Sequence, residues 1–393
     1  MYVIEHLQKA KKPLFSYEIV PPTRGNSVRN ILDIVEQILP YDPPFIDVTS
    51  HSAEAYYEEQ PDGTIRRFVR KKRPGTISIC GIIQNRYGID TVPHLLCRGF
   101  SREETEDACI ELNFLGIHNF LAIRGDETNY IPPAPGTNSV NVYACEMVEQ
   151  LVKLKSGKYL ENLSDSEQID MCIGVAGYPE KHVESPNFKT DISYLKQKID
   201  KGADYVVTQM FFDNKYYFDF VKECRAAGIT VPIIPGLKIL NSPKQTTSLP
   251  KNFHITIPDA LVDEVTAGSP RTESLSSRAE SSSSRAESSS SRAESSSSRA
   301  ESSSSRAETS SSRAETSSSR AESSSSRAES REGRPQLAVG SSNTSTKLIE
   351  RSREIGVRWA KRQCEGLLNG GAPCIHFYVM NDAESVINVV KGL

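Results

Sequence analysis

Several features that would place this chain in a common functional class are missing from its sequence. The eight cysteines are dispersed without a CxxC pair, which argues against a disulfide framework and a cysteine-based zinc site. No long apolar run is present, and the amino terminus lacks a basic stretch followed by an apolar block. With a formal net charge of −3, the chain has no basic excess for nucleic acid or an anionic membrane. We expect a cytoplasmic enzyme acting on a small molecule.

Phosphate-binding and metal-binding motifs are missing as well. No GxGxxG follows the first predicted strand and no GxxxxGK[ST] occurs, so neither a Rossmann dinucleotide fold nor a P-loop is indicated. His94, His182 and His376 are too widely spaced for a typical ligand pair, and no carboxylate cluster resembles a divalent-cation site. The sequence therefore predicts chemistry without a bound metal.

Short apolar segments alternate with amphipathic helical segments along most of the chain. The eight strand-like segments are 14–20, 45–49, 91–97, 119–126, 171–176, 204–209, 231–236 and 374–379. Such alternation is typical of a (β/α)8 TIM barrel, and an open doubly wound sheet is the main alternative. The first seven strands fall in residues 1–265, and the last helix and strand fall in residues 347–393.

Residues 266–346 interrupt this alternation. The segment is rich in serine, and Arg-Ala-Glu recurs every seven residues from Arg278 to Arg327. A seven-residue period is typical of coiled coils, but alanine stands where a seam needs Leu, Ile or Val, so burial would not offset the entropy of ordering. We predict a disordered insertion that leaves the barrel able to close. An interaction module carried by the repeat is the alternative.

Polar residues gather where the predicted strands end. They are Glu18, Thr49, His94, Arg124, Asp126, Tyr178, Glu180, His182 and Gln209. In a barrel these ends meet at one mouth, where barrel enzymes carry their active sites. Each residue alone has a plainer explanation, such as a solvated carboxylate or a satisfied core histidine. Their shared position favours a common site.

Six ordered motifs at these ends resemble those of methylenetetrahydrofolate reductases. They are SYEIVPP (16–22), DVT (47–49), PHLLC (93–97), AIRGD (122–126), AGYPEKH (176–182) and TQMFFD (208–213). The resemblance is to the catalytic domain of bacterial-type enzymes and covers residues 1–260 and about 353–393. It implies an FAD-containing barrel that uses NADH or NADPH to reduce 5,10-methylenetetrahydrofolate to 5-methyltetrahydrofolate by ping-pong hydride transfer, in one-carbon and methionine metabolism. It also implies a homo-oligomer.

The resemblance assigns roles to individual residues. Glu18 matches the acid that protonates the folate nitrogen, and Asp126 matches the carboxylate beside the flavin ring. Both also match substrate contacts, together with Gln209, whose amide can donate and accept at the pterin edge. For its acid role, we expect burial to raise the pKa of Glu18. The residues that match cofactor contacts are Thr49, His94, Arg124, Gly125, Asp126, Tyr143, Ala144, Tyr178, His182, Asp191 and Lys198.

Two departures from the family pattern stand out. Asp382 occupies a position where family members often carry a basic residue, which leaves the binding of the folate glutamate tail unexplained. The chain ends at Leu393, soon after the eighth strand, so we expect no adenosylmethionine-binding regulatory domain and activity insensitive to adenosylmethionine. A folate- or corrinoid-linked methyltransferase is the alternative function, because it would use the pterin pocket without a redox cofactor.

Overall fold

The computed structural model describes residues 1–125, 139–267, 340–380 and 382–393, and of residues 340–346 the backbone alone. Its strands are β1 Phe15–Ile19, β2 Phe45–Val48, β3 Ala53–Glu59, β4 Ile65–Lys71, β5 Asp90–Leu96, β6 Asn119–Ile123, β7 Cys172–Gly177, β8 Tyr205–Thr208, β9 Ile233–Ile234, β10 Gly236–Leu237 and β11 Ile375–Met380. Its helices are α1 Val3–Lys9, α2 Arg29–Ile38, α3 Thr76–Tyr87, α4 Arg102–Phe114, α5 Ala144–Lys155, α6 Phe188–Asp200, α7 Asn214–Ala226, α8 Gln245–Phe253, α9 Asp259–Thr266, α10 Gly340–Asn369 and α11 Ala383–Val390.

The parallel strands form one sheet that closes on itself. Its order is β10-β11-β1-β2-β5-β6-β7-β8-β9, and each pair of neighbours is parallel. β9 and β10 are two halves of one strand separated by Pro235, which has no N–H to donate to a ladder. β9 pairs with β8 and β10 pairs with β11, so the continuous backbone between them completes an eight-stranded barrel. The predicted (β/α)8 fold is confirmed.

The junction between the two halves depends on a glycine. The backbone N–H of Gly236 donates to Thr208 Oγ1 at 2.9 Å, and the Tyr378 hydroxyl donates to the Thr208 carbonyl at 2.6 Å. A Cβ at position 236 would lie 2.3 Å from that carbonyl oxygen. The close approach of β8, β10 and β11 therefore requires a residue without a side chain.

Side chains of the strands alternate between two apolar layers, as the period of a β-strand requires. The outer layer packs against the helices and includes Ile46 and Val48 of β2. The inner layer joins residues from strands around the barrel: Phe45, Val92, Leu121, Cys172, Tyr205, Val207, Ile234 and Cys374. Val3 of α1 belongs to the same inner cluster, and its N–H donates to the Asn119 side chain at the start of β6. Helix α1 thus covers the amino end of the barrel.

An antiparallel hairpin, β3 and β4, projects from the carboxyl end of β2 before the chain returns to α3. The sequence pattern is ambiguous over residues 64–89 and does not predict it. Tyr57, Ile65 and Val69 are exposed on its strands, and each is followed by a charged residue. A strand without a buried face lacks the apolar periodicity that makes other strands recognisable.

The chain divides into two compact units. The first, Met1–Val265 with Ile349–Leu393, contains the barrel. The second, Thr266–Leu348, includes all of the predicted insertion, and residues 268–339 lie outside the described part of the chain. Over the described ranges, no helix combines the length and the apolar character needed to cross a membrane.

Candidate active site

Four titratable side chains meet inside the barrel, two of them, Glu18 and His94, near the carboxyl ends of their strands. They are Glu18 of β1, Asp47 of β2, His94 of β5 and His376 of β11, and we call them the interior ring. All four are buried, and Asp47 and His376 have no exposed surface. Glu18 and Asp47 are register partners on adjacent strands, so their side chains point to the same face of the sheet.

Each carboxylate of the interior ring lies within ion-pair range of both imidazoles. Glu18 Oε2 is 3.6 Å from His94 Nε2 and 3.8 Å from His376 Nε2. Asp47 Oδ2 is 3.5 Å from His94 Nε2, and Asp47 Oδ1 is 3.9 Å from His376 Nδ1. Two potential acids and two potential bases therefore form a closed cycle in a low-dielectric interior.

Few hydrogen bonds fix the protons of this cycle. Ser16 Oγ lies 2.9 Å from His376 Nδ1. Within the described residues, both oxygens of Asp47 and the Nε2 atoms of His94 and His376 are buried without a hydrogen-bond partner. A proton bound within the interior ring is therefore free to occupy more than one of these atoms.

The charges of the interior ring shift the pKa values of Glu18 and His94. Burial alone would raise the pKa of Glu18, but the nearby imidazoles of His376 and His94 outweigh it, and the net pKa is lowered. Burial alone would lower the pKa of His94, but the Asp47 and Glu18 carboxylates outweigh it, and the net pKa is raised. The expectation that Glu18 has a raised pKa is therefore wrong, because the sequence did not place two imidazoles beside its carboxylate.

Lys238, just beyond β10, adds a cation near Glu18. Its Nζ donates to the Tyr378 carbonyl at 3.0 Å, and burial lowers its pKa to about 8 despite the opposing charges of Asp382 and Glu18. The charge of Lys238 also helps to lower the pKa of Glu18. An anionic ligand group at this end of the barrel would find a partly buried cation here.

A second group of predicted residues lies at the ends of β6 and β7, and we call it the rim group. Arg124 forms a bidentate ion pair with Glu184: Nη1 donates to Oε2 at 2.6 Å, and Nη2 donates to Oε1. The guanidinium carbon also lies 5.8 Å from the centre of the Tyr143 ring, which is half exposed and precedes α5 at Ala144. Arg124 is thus held on the rim by a carboxylate that the sequence motifs did not include.

The loop after β7 is fixed by a buried carboxylate. Asp191 accepts hydrogen bonds from the Ser185 hydroxyl at 2.7 Å and from the His182 backbone N–H at 3.2 Å. The His182 ring meets the Tyr178 ring edge-on, with centroids 4.6 Å apart. Burial lowers the pKa of His182, so its imidazole is favoured in the neutral form. Asp191 is a buried structural anchor rather than part of a solvated helix face.

Lys198 reaches the same region from α6. Its Nζ donates to the Ala176 carbonyl at 2.5 Å near the end of β7. Burial lowers its pKa to about 8, and the charge of Asp191 offsets part of that effect. The rim group therefore contains two cations, Arg124 and Lys198, and one exposed aromatic ring, Tyr143.

Three other predicted residues occupy defined positions at strand ends. Thr49 donates its N–H to the Ile19 carbonyl at 3.0 Å, and within the described residues its buried hydroxyl has no hydrogen-bond partner. Gln209 donates its N–H to the Gly177 carbonyl at 2.8 Å, and its amide oxygen accepts from Met210 N at 2.9 Å. Gly125 has φ +85°, a conformation that favours glycine. Asp126 lies outside the described residues.

Sequence reasoning missed several residues of this site. Asp47 and His376 were not assigned roles, although they alternate with outward-facing residues at a period of two, which places them inside the barrel. Glu184 and Lys238 lie outside all six sequence motifs. Asp382, the departure noted above, caps α11: it accepts from Ser385 N at 3.1 Å and from Asn241 Nδ2 at 3.0 Å.

Comparison with known proteins gives consistent matches. A family model described as methylenetetrahydrofolate reductase matches residues 3–279. A probable methylenetetrahydrofolate reductase (NADPH) of Caenorhabditis elegans is 29% identical over 262 residues, which cover 67% of this chain and 36% of that protein. A probable methylenetetrahydrofolate reductase (NADH) of Oryza sativa subsp. japonica is 31% identical over 260 residues, with coverage of 62% and 38%.

A bacterial relative is matched over more of its length. The 5,10-methylenetetrahydrofolate reductase of Salmonella typhimurium is 29% identical over 245 residues, which cover 62% of this chain and 70% of that protein. The chain thus spans well under half the length of the worm and rice proteins and most of the length of the bacterial one.

Proposed function

Because the chain belongs to the methylenetetrahydrofolate reductase family, we propose that it is an FAD-dependent enzyme that reduces 5,10-methylenetetrahydrofolate to 5-methyltetrahydrofolate with NADH or NADPH. The observation that carries this proposal is the interior ring, whose acid Glu18 lies near the carboxyl end of β1. This buried acid lies within 3.6 Å of one imidazole and 3.8 Å of another. Barrel enzymes place their catalytic groups at this end.

The rim group and Thr49 fit the predicted flavin. Arg124 and Lys198 supply positive charge for a diphosphate, and the exposed ring of Tyr143 offers a surface for an aromatic group. The buried hydroxyl of Thr49, which has no hydrogen-bond partner in the described part of the chain, supplies a hydrogen-bonding group at the mouth. FAD bound here would supply hydride transfer between the nicotinamide and the folate.

Arg124 would have to share its guanidinium between ligand and protein. In the structure it is paired with Glu184, a half-exposed carboxylate. An exposed partner of this kind contributes little stability, so a diphosphate could replace it at low energetic cost. The cofactor residues Tyr178, His182 and Asp191 would instead act by holding the loop after β7 in place.

Glu18 would provide the proton for the folate. Hydride addition requires the bridging methylene to open to an electrophilic iminium, and protonation of the departing folate nitrogen favours that opening. Neighbouring imidazoles lower the pKa of Glu18, which favours its carboxylate form, so an adjacent imidazolium would supply the proton at the moment of transfer. Gln209, whose amide is oriented by Met210 N, would bind the pterin edge, and Asp126 is proposed to lie beside the flavin.

The proposal is tested by anaerobic stopped-flow measurements on the purified protein. We expect a yellow protein whose flavin absorbance is bleached by NADH or NADPH and restored by methylenetetrahydrofolate, in two independent half-reactions as a ping-pong mechanism requires. A colourless protein that cannot be reconstituted with FAD would refute the proposal. Comparing the two bleaching rates would also give the preferred nicotinamide.

A further inference from the structure

Asp47 is the member of the interior ring to which no motif assigns a role. It lies in the middle of β2 with no exposed surface, and in the described part of the chain neither of its oxygens has a hydrogen-bond partner. An ionised carboxylate in such a position is strongly unfavourable unless nearby positive charge compensates it. The compensating groups must lie among its neighbours.

The two imidazoles are the neighbours that can carry that charge. His94 Nε2 is 3.5 Å from Asp47 Oδ2, and His376 Nδ1 is 3.9 Å from Asp47 Oδ1. The other titratable groups that the charge of Asp47 influences are Cys80, Tyr205, Cys374 and Tyr378. Burial first, and the charge of Asp47 in addition, raises the pKa of each of these thiols and phenols, so they stay neutral near pH 7.

The same two imidazoles also lie near Glu18. His94 uses one nitrogen, Nε2, toward both carboxylates, whereas His376 turns Nδ1 toward Asp47 and Nε2 toward Glu18. The separations from Glu18 exceed a hydrogen bond by less than about 1 Å, which side-chain rotation can close. Lys238 is a further cation that acts on Glu18.

We propose that Asp47 is a positioning residue for the acid step. It retains a proton on the imidazoles of His94 and His376, and Glu18 takes up this proton and passes it to the substrate. The inference rests on the proposed reductase function. In the step, an imidazolium N–H bond breaks, a Glu18 O–H bond forms, and that proton then passes to the folate nitrogen. The imidazole is left neutral, Asp47 stays ionised, and solvent later restores the proton.

The proposal predicts the direction in which Asp47→Asn changes the ring. The substitution removes one negative charge and keeps the shape of the side chain, so the proton affinity of the whole ring must fall. We expect the apparent pKa of His94 to fall by about one unit or more. Titration of the seven histidines by NMR in the cofactor-free protein measures this, with His94→Gln and His376→Gln identifying the signals.

The kinetic test separates the acid step from flavin reduction. With Asp47→Asn, the pH above which methylenetetrahydrofolate fails to reoxidise the reduced flavin should fall by about one unit or more, while reduction by NADH or NADPH keeps its wild-type rate. Ser16→Ala is the matched control, because it removes the contact with His376 Nδ1 without changing a charge. In Ser16→Ala, the pH above which methylenetetrahydrofolate fails to reoxidise the flavin should stay at its wild-type value.

Two results would overturn the proposal. One is unchanged histidine titration in Asp47→Asn, and the other is a shift in Ser16→Ala as large as that in Asp47→Asn. If Asp47→Asn does not fold, His376→Gln gives the same test with the opposite sign, because two carboxylates then act on His94 alone and its pKa should rise. A protein that shows these titrations but no flavin chemistry would refute the reductase function. It would still support the inference that Asp47 retains a proton on the imidazoles.

Discussion

Glu18 sits between two imidazoles, and one nearly isosteric change tests its role. We expect Glu18→Gln to retain the rate of flavin reduction by the nicotinamide, because that half-reaction needs no proton from Glu18. Reduction of methylenetetrahydrofolate should fall by about 10²- to 10⁴-fold, the usual effect of losing a general acid. Rapid-mixing absorbance measurements of each half-reaction provide the comparison.

The control for this change is Glu36→Gln on the exposed side of α2, which should alter neither half-reaction. If both half-reactions fall together in Glu18→Gln, Glu18 supports the structure of the mouth rather than the proton transfer.

Lys198 gives a pH-dependent prediction for cofactor binding. Its pKa of about 8 means that it loses its charge as the pH rises through that value. Below pH 8 the ammonium attracts a diphosphate, so FAD affinity should weaken by up to about tenfold per pH unit above 8. Lys198→Met should bind FAD about 10- to 100-fold more weakly at pH 7 and lose this pH dependence. Flavin fluorescence titration of the cofactor-free protein measures both effects.

Lys201 offers a matched control for Lys198, because it lies at the end of the same helix and pairs with the exposed Glu149. Lys201→Met should leave the affinity and its pH dependence unchanged. If FAD affinity in Lys198→Met still decreases with pH as it does in the wild type, another group binds the diphosphate.

At the scale of the residue, the motifs located single groups but not their partners. Glu18 and His94 were both predicted at the site, yet the pKa of Glu18 was predicted in the wrong direction. The reason is that its shift arises from His376, which is distant in sequence and reaches Glu18 only when β11 pairs with β1. The sequence around Glu18 gives no indication of such a contact. The period-two alternation of β2, in contrast, does place Asp47 in the interior of the barrel.

At the scale of the element, the split strand β9–β10 should tolerate substitution poorly at its junction. In Gly236→Ala the new methyl group would meet the Thr208 carbonyl and the Tyr378 ring, where β8, β10 and β11 converge. We expect a loss of unfolding free energy of about 3 kcal/mol, the upper part of the usual range for overpacking. Urea unfolding followed by circular dichroism provides the value.

Gly63→Ala in the hairpin turn is the comparison. There φ is +79° but an added Cβ meets no atom within 4 Å, so the loss should be only about 1 kcal/mol. Equal losses at the two positions would mean that close packing at residue 236 does not secure the junction.

The strands of the barrel were predictable because each is an apolar run between helices, the pattern that burial on both faces of a parallel sheet produces. The hairpin β3–β4 was not, since its exposed side chains follow no burial pattern. The interruption at Pro235 also escaped prediction, because the run 231–236 reads as one continuous strand.

At the scale of the whole molecule, we propose that the barrel folds and works without the serine-rich repeat. The flanking helices meet within the barrel unit: Arg358 pairs with Glu264 at 2.6 Å, and Ile355 shares a buried cluster with Leu261 and Val265. Deleting residues 268–339 and joining the ends with a short flexible linker should keep both half-reactions within about twofold and change loop-closure free energy by less than about 2 kcal/mol.

Steady-state assays and thermal unfolding of the shortened protein, beside the full chain, test this. A shortened protein that folds but loses one half-reaction would show that the repeat contributes to the site.

The position of β11 between β10 and β1 sets the order in which the protein can be completed during synthesis. Until that strand leaves the ribosome, both edges that it will join stay open to pairing with another chain. At typical translation rates, the segment from Leu237 to Ile375 takes on the order of ten seconds to make. The nascent barrel therefore passes through a period in which it is aggregation-prone, and holding chaperones should bind it most strongly during that time.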